Sequence, residues 1–557
     1  MSERIFIGVA WPYANSPLHL GQIAGAYLPP DIFARYHRTK GSQVLMVSGS
    51  DQHGTPITIR AEQEGKSPAE IAKKYHEQFL ESWQRLGISF DLYTTTGTDN
   101  HTAVAQDIFL TLLKKGYIYK ASAKQPYCSQ CQRFLPDRYI EGTCPYCDFD
   151  GARGDQCDDC GKPLNASELV GPRCRICGTP PEFRETEHFF LKLSAFEDQL
   201  LKWVKKQHHW RPNVLNFTRR YLEDGLKDRA ITRDIDWGIP LPLDGYPGKR
   251  LYVWFEAVIG YLSASKEWAE KGGDGERWRD FWQGEARSYY FIGKDNIPFH
   301  TIVWPAMLLG YGGLNLPYDV PANEYLTMEG GKLSSSRNRA VWLPDYLAHY
   351  DPDPLRYLLS INMPETADTS FSWREFVRRN NDELVATYGN LVQRVLTFVY
   401  RSFNGCVPTY ADMGISSIPA PTQLEINSYA ILNDVGAELS KCHFKLALKM
   451  AMSLAQETNR YLDEKSPWKV IKQDRQTAAN SLYVALCVIS HLKTMLYPFL
   501  PFSSQKLHEY LGFKGRVEDC GWRLHSPPPG QKLLPPKPLF TKLDEKTVAE
   551  ETGQPGQ

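Results

Sequence analysis

Three stretches of this chain carry residue types at spacings that could do chemistry. The first is His19-Leu20-Gly21-Gln22, which follows Trp11-Pro12-Tyr13-Ala14-Asn15-Ser16-Pro17. A β-like run, Arg4 to Ala10, precedes it, and a helical pattern begins near His19. A helix N-terminus placed after a strand offers free N–H groups and partial positive charge, which suits a phosphate. His19 can donate to it, and Gly21 has no side chain to block a base or ribose. Gln22 donates a hydrogen bond without carrying charge. The second stretch is Glu329-Gly330-Gly331-Lys332-Leu333-Ser334-Ser335-Ser336-Arg337, whose glycines permit motion and whose Lys332 and Arg337 can reach a polyphosphate. The third is a set of eight cysteines among the twelve in the chain, arranged as four C-x2-C pairs: Cys128/Cys131, Cys144/Cys147, Cys157/Cys160 and Cys174/Cys177. Each pair can grip one tetrahedral ion, and two pairs close a structural site, so the expectation is two structural zinc ions. The intervals of twelve, nine and thirteen residues allow either consecutive or nested pairing. Cys406, Cys442, Cys487 and Cys520 are isolated and read as inert.

A fourth group is diffuse. Asp51, in Gly49-Ser50-Asp51-Gln52-His53-Gly54, follows a predicted strand and can pair with the ammonium of an amino acid. Tyr252 to Tyr261 brings Trp254, Ala257 and Tyr261 close together if a helix starts near Trp254. Aromatic edges suit a thioether. Phe291-Ile292-Gly293-Lys294-Asp295 and Phe299-His300 complete the set.

These residues need a frame. Strand patterns at Arg4–Ala10 and Gln43–Val47 alternate with helical ones at Pro68–Leu86 and Thr102–Lys115, which predicts an α/β fold with a doubly wound parallel sheet. From about Ala121 to Arg184 the composition turns to Cys, Gly, Pro and Asp, so a metal-organised insertion is expected to split the sheet. Helical patterns follow near Ala195–Lys205 and Asn213–Gly225, and strands are expected again at Leu251–Phe255 and Ser288–Gly293. From Trp373 to about Leu511 apolar spacings of three and four predict a helical bundle. The tail after Ser526 holds six prolines between 527 and 538 and is expected to be extended, disordered or packed back on the body. The expected division is 1–117 and 233–325 for the two halves of the split sheet fold, 118–232 for the insertion with its knuckles at 128–177, 326–378 for the lysine loop and linker, 379–525 for the bundle, and 526–557 for the tail.

Composition narrows the class further. Apolar residues make up 42% and charged residues 23%, as in a globular protein with a full core. Sixty-four basic residues balance sixty-four acidic ones, so net charge points to no particular partner. The best membrane candidate, Ser481–Phe502, is interrupted by His491 and Lys493, and Met1-Ser2-Glu3-Arg4 leads straight into a strand. A cytoplasmic chain without a membrane is expected, in which the cysteine pairs read as metal ligands rather than disulfides.

His19-Leu20-Gly21-Gln22 resembles the first signature of class I aminoacyl-tRNA synthetases, and Lys332-Leu333-Ser334-Ser335-Ser336 resembles the second. Pro-Tyr-Ala-Asn before the first signature, and the Asp51, Trp254 and Asp295 strings, are similar to the methionyl branch. Gln22 replaces the family's usual histidine and Ser335 its second lysine, with Lys332, Arg337 and Lys294 the expected compensation.

The resemblance implies activation of L-methionine with Mg-ATP and loading onto tRNA(Met). It implies catalytic roles for His19, Gln22, Lys332, Ser335 and Arg337, and ATP contacts at His19, Gly21, Gln22, Lys294, Asp295, Lys332 and Leu333. It implies an amino-acid pocket of Trp11, Tyr13, Asp51, Trp254, Ala257, Tyr261 and His300, with Arg233 near the active site. It also implies a nested zinc arrangement, Cys144/Cys147 with Cys157/Cys160 and Cys128/Cys131 with Cys174/Cys177. Asn390 and Arg394, four apart on one helix face, and Trp468, after Pro467, match the family's anticodon readers. Lys441 to Arg475 has eight basic residues against four acidic, a local bias toward phosphate. The insertion is too short for the separate hydrolytic domain of the valine, isoleucine and leucine enzymes. No appended tRNA-binding barrel is seen, so a monomer is expected.

Overall fold

The computed structural model describes residues 2–328, 331–332, 340–417 and 420–552. A five-stranded parallel sheet runs in the order Ala322–Asn323, Arg287–Gly293, Arg4–Val9, Gln43–Ser50, Leu92–Thr95. Its central strands are buried and apolar, as strands covered by helices on both faces must be. Strand order reverses between Arg4–Val9 and Arg287–Gly293, neighbours in the sheet that the insertion helps to separate in the chain. Ligands bind beyond the carboxyl ends at such a switch point.

The insertion is built on an antiparallel sheet in which Ile118–Cys128 pairs with Glu182–Leu191 along its length. Beyond it a small sheet of Ile140–Thr143, Asp150–Arg153 and Val170–Cys174 carries the cysteines. This module has its own small apolar core, around Leu135, Tyr139, Ile140 and Leu164, separate from the main one. A core this small is of the size that a structural metal commonly supplements.

One predicted strand is corrected. Leu251 ends a strand, Lys249–Leu251, that pairs antiparallel with Thr232–Asp234 and is not in the main sheet. Residues Val253–Glu256 are already helical, and the helix resumes as Gly260–Lys271. A short apolar run has no periodicity to separate a strand from a buried helix turn.

The helical part includes Trp373–Arg379, Asn390–Ser402, Gln423–Ser440, Phe444–Lys465 and Pro501–Tyr510 around a central helix, Arg475–Leu496. That central helix is long and apolar enough to cross a membrane, yet its apolar window is 94% buried inside the protein. Of the three expected states of the tail, the described residues show packing onto the body. Leu533 donates its N–H to Gly405 O, Leu539 and Phe540 are buried, and Asn381 exchanges hydrogen bonds with Leu543.

The first helix of the sheet fold is tied to the helix Pro352–Ile361 by a buried ion pair. Arg356 Nη2 lies 2.7 Å from Asp31 Oδ2, and both side chains are wholly buried. Arg35 Nε and the N–H and hydroxyl of Ser89 also donate to Asp31. Burial alone would raise the Asp31 carboxyl, but Arg35 and Arg356 overcome it and hold it well below the usual carboxylate range. A depressed folded pKa means stability that is complete above the unfolded value of about 3.9 and lost as pH falls below it. Asp31→Asn should therefore cost about 3–5 kcal/mol at pH 7 in urea unfolding. The gap from the parent should shrink once pH drops under about 4. Equal stability at pH 7 would show that the pair is not a tie.

Candidate active site

The chain leaves the strand Arg4–Val9 and turns under its own sheet. Tyr13 makes a parallel bridge with Asp51, Asp51 N donates to Pro12 O at 2.8 Å, and Ala14 N donates to Asp51 O at 2.9 Å. Two loops predicted separately are thus locked edge to edge. Trp11 fits only because its neighbours are glycines: a Cβ on Gly49 or Gly260 would meet its ring at 2.3 or 2.7 Å.

His19 caps the next helix. Its backbone N–H donates to Gln22 Oε1 at 3.0 Å, so Gln22 holds the loop with its oxygen and leaves its amide nitrogen for a ligand. Buried His19 Nδ1 has no partner, and burial lowers the imidazole pKa to about 4, so it is neutral at pH 7. The far side of the lysine loop returns to this segment. Leu20 N donates to Val341 O, Leu343 N donates to Leu18 O, and His19 bridges Trp342. Lys332 itself lies on a short strand opposite Thr327. Leu333, Ser335 and Arg337 lie outside the described residues.

A cavity of about 340 Å³ gathers most of the expected residues. Trp11, Tyr13, Asp51, Trp254, Ala257, Tyr261 and His300 line it, together with His19, Gly21, Gln22 and Asp295. Trp254 stacks on Phe299 at 4.0 Å between centroids. Tyr325 donates its hydroxyl to Asp295 Oδ1. His300 Nδ1 must carry its hydrogen, since it faces Asn296 O at 2.9 Å, so Nε2 accepts from Tyr261 Oη at 2.7 Å.

Lys294 and Arg233 are not among the residues lining that cavity. The Lys294 ammonium pairs with Glu324 at 2.7 Å and Asp368 at 3.0 Å. Arg233 lines a neighbouring cavity, lies over the Tyr252 ring at 3.6 Å and donates to Ala230 O and Thr232 O.

The sequence reading missed an electrostatic network. Glu256 is fully buried, with Oε1 3.0 Å from His53 Nδ1 and Oε2 2.6 Å from His101 Nε2; His101 Nδ1 meets Ser263 Oγ at 2.8 Å. Burial pushes Glu256 up, but the two histidines hold it below its ordinary value. Among the described residues Asp51 makes no ion pair. Burial and then the Glu256 charge push its carboxyl well above normal, against the backbone N–H groups of His53 and Gly54. A carboxylate prepared in this way is a receptor for a ligand's ammonium. The only signal in the sequence was an acid amid the apolar run Val253–Tyr261. The structure also has π-helical turns at Ile23–Tyr27 and Phe299–Val303, both contributing lining residues. Such turns are frequent at functional sites and leave no periodicity to read.

The cysteines form two clusters, Cys128/Cys131/Cys174/Cys177 and Cys144/Cys147/Cys157/Cys160, each with its sulfurs within 4.8 Å of one another. Sulfur pairs sit at 3.5 and 3.9 Å in one and 3.6 and 4.0 Å in the other. Four thiolates about 2.3 Å from one tetrahedral ion would stand about 3.8 Å apart, so both clusters fit a metal. Backbone N–H groups of Cys131, Tyr146 and Asp159 point at sulfur, as thiolates require.

At the far end, Arg394 lies over the Trp468 ring at 4.2 Å and 3.5 Å from Asp463. A left-handed Ser466 followed by Pro467 turns the chain so that Trp468 faces that helix. Asn390 opens the same helix as Arg394 and is exposed.

Comparison with known proteins gives this geometry its class. The family described as "tRNA synthetases class I (M)" matches residues 5–396, and "Anticodon binding domain of methionyl tRNA ligase" matches residues 419–554. The fold and its cavity are those of a class I tRNA synthetase. A methionine–tRNA ligase of Dehalococcoides mccartyi is 65% identical over 558 residues, covering 100% of both chains. That of Thermomicrobium roseum is 52% identical over 586 residues, covering 99% of this chain and 98% of its own. The structure of Mycobacterium tuberculosis methionyl-tRNA synthetase in complex with methionyl-adenylate superposes with a TM-score of 0.78 at 26% identity, covering 97% of this chain and 100% of that one. The chain belongs to the methionine–tRNA ligase family.

His300 offers a test of the buried cavity wall. Burial lowers its pKa from 6.5 to about 4. As pH falls from 6.5 toward 4, the unfolded chain takes a proton that the folded one refuses, and about 3 kcal/mol of stability is lost. His300→Gln should flatten that part of the stability–pH curve measured by urea unfolding. An unchanged slope would place the acid sensitivity elsewhere.

Proposed function

We propose that the chain activates L-methionine with ATP to methionyl-adenylate and pyrophosphate, then transfers the methionyl group to tRNA(Met). The observation that carries this is the buried Asp51 carboxylate, which makes no ion pair among the described residues and lines an aromatic cavity at the switch point. The methionine ammonium sits on Asp51, and its thioether lies among Trp11, Tyr13, Trp254, Tyr261 and His300, where sulfur meets ring edges. One carboxylate oxygen of methionine attacks the α-phosphorus in line. A P–O bond forms, the bond to the β-phosphate bridging oxygen breaks, and pyrophosphate leaves.

His19 and Gln22 donate to the phosphates, Gly21 admits the nucleoside, and Asp295, held by Tyr325, takes the ribose. Lys332, with Ser335 and Arg337 on its loop, meets the departing pyrophosphate. Catalysis is positioning and electrostatics. Mg²⁺ bound with ATP neutralises phosphate charge. The 2′-hydroxyl of the terminal ribose then attacks the methionyl carbonyl, loses its proton, and releases AMP. Asn390, Arg394 and Trp468 read the anticodon by stacking and hydrogen bonding. The division at residues 117, 232, 325, 378 and 525 follows these tasks. Such an enzyme works in the cytoplasm as a monomer.

Zinc held by Cys128, Cys131, Cys174 and Cys177 and by Cys144, Cys147, Cys157 and Cys160 would staple the insertion, with four thiolates for each ion and so a structural role. Metal analysis should return about two zinc per chain, and Cys157→Ser about one. A full metal content in that variant would remove the cluster assignment.

The function is tested by amino-acid-dependent ATP–pyrophosphate exchange with methionine, cysteine, leucine and homocysteine in parallel. Exchange should be strongest with methionine; none with any of them would sink the reading. Asp51→Asn removes the partner of a buried ammonium, a loss of about 2–5 kcal/mol. The methionine KM should rise at least about thirtyfold. An unaltered KM would mean the ammonium binds elsewhere.

A further inference from the structure

The acid behind Asp51 does not face the ligand. Glu256 is wholly buried and is not among the residues lining the cavity, yet it ends the helical turn Val253–Glu256, and Trp254 and Ala257 beside it do line the cavity. Three segments that carry pocket residues meet around this carboxylate. Oε1 lies 3.0 Å from His53 Nδ1, on the loop of Asp51. Oε2 lies 2.6 Å from His101 Nε2, on the helix Asp99–Lys114. His101 Nδ1 in turn meets Ser263 Oγ at 2.8 Å, on the helix Gly260–Lys271 that also carries Tyr261. The contacts close on Asp51 itself, because the backbone N–H of His53 donates to Asp51 Oδ1 at 3.1 Å.

Counting hydrogens gives this chain a direction. A carboxylate has no hydrogen to give, so each imidazole must donate to Glu256, His53 from Nδ1 and His101 from Nε2. Ser263 has one hydroxyl hydrogen and two acceptors within reach, His101 Nδ1 and Gly260 O at 3.1 Å. Given to His101, it leaves that imidazole neutral; given to Gly260, it leaves His101 holding both of its hydrogens and a positive charge. Either way Glu256 meets two ring donors. The donors that Asp51 meets are backbone N–H groups, those of His53 and Gly54. Of two like charges buried together, the one with the weaker partners takes the proton. Burial and the Glu256 charge push Asp51 up, while His53 and His101 hold Glu256 down against its own burial.

Other titratable groups surround the pair. Tyr13 bridges Asp51 from the first loop, Tyr261 and His300 are bonded to each other in the cavity wall, and His76 and Tyr93 meet the neighbouring Ser50 at 2.9 and 3.1 Å. His19, Tyr27, Asp295, Glu324 and Tyr325 line the rest of the cavity. Burial lowers His19, His76 and His300 and raises Tyr93 and Tyr261, so each of these five favours its neutral form.

We propose that Glu256 is a positioning residue for the amino acid: gripped by His53 and His101, it fixes the loop of Asp51 and keeps a second negative charge beside it, so that a proton occupies Asp51 until the ammonium displaces it. Methionine enters as the cation, the O–H bond of Asp51 breaks, the proton passes to solvent, and an ion pair of carboxylate and ammonium remains. The inference rests on the ligase reading, in which Asp51 holds the ammonium.

The experiment follows kcat/KM for methionine against pH in ATP–pyrophosphate exchange, with the full chain. The parent profile should fall on its acid side at a pH above about 3.9, where an ordinary aspartate titrates. Glu256→Gln removes the neighbouring charge at nearly the same shape, so the fall should move toward lower pH by about one unit or more. His53→Ala keeps the backbone N–H on Asp51 but strips a partner from Glu256, so the two acids hold their proton more tightly and the fall should move the other way. Glu256→Asp keeps the charge and should keep the parent's position. The alkaline side, set by methionine's own ammonium, should stay in place throughout. Calorimetry of methionine binding in two buffers of unlike ionisation enthalpy reads the proton directly: release should approach one per methionine at the acid end in the parent and be smaller in Glu256→Gln at the same pH.

Shifts of opposite sign separate this role from a loosened pocket, which would lower kcat/KM alike at every pH. An acid side that stays put in both variants, one that moves the same way in both, or methionine binding with no proton released at any pH would each overturn the inference. Should Glu256→Gln not fold, His53→Ala and the parent's calorimetry decide it. Absence of exchange in the parent would instead overturn the ligase reading.

Discussion

A wholly buried charge pair joins the nucleotide fold to the helices that follow it. Arg356 donates to Asp31, to Leu86 O, and to Pro498 O and Phe499 O. Asp31 belongs to the first helix of the nucleotide fold, Leu86 ends another helix of that fold, and residues 498–499 lead into the last long helix of the bundle. Taking two charges out of water costs several kcal/mol per ion, and that cost is offset only when the lone pairs and protons find partners. Here both groups are met many times over. A rotation of the bundle against the sheet would strip acceptors from a buried guanidinium, so these contacts oppose it. The C-terminal strap of residues 530–543 works in the same direction, closing over the bundle through Leu533, Asn381 and Leu543.

Inside the cavity the same physics is used in the opposite sense. Two buried carboxylates stand near each other, and among the described residues only Glu256 has side-chain partners that hold its pKa down. His53 and His101 compensate Glu256, whereas Asp51 keeps an unmet demand for positive charge. The arrangement stores part of the binding energy as electrostatic discomfort in the free protein, relieved when an ammonium arrives. The histidines of the cavity wall do not compete for that role, because burial keeps His19 and His300 neutral.

Much of the fold was legible because local rules and tertiary environment agree. Arg4–Val9 reads as a strand and is one, and Pro68–Leu86 is a helix over the span its pattern predicts, capped by Ser67 with Glu70. The reading failed where agreement failed. Leu251–Phe255 is apolar whether it enters a sheet or a buried helical turn, and burial on all sides erased the period. Lys294 was expected at the phosphates; its ammonium pairs with Glu324, which lines the cavity, and with Asp368, both distant in sequence, a pairing no local pattern announces.

By itself the sequence determined the types of chemistry: thiolate pairs for two metal sites, a helix-start histidine for phosphate, an acid with aromatics for an amino acid, and a parallel sheet to present them. Those properties depend on residue type and short-range spacing, which a linear string records. Only the tertiary structure decided which thiolates share a cluster, that Glu256 is the buried counterpart of Asp51, and that Gln22 spends its oxygen on His19. Each depends on the distance between groups far apart in the chain. The dielectric around a charge and the partner it finds are set by packing, which no local pattern encodes.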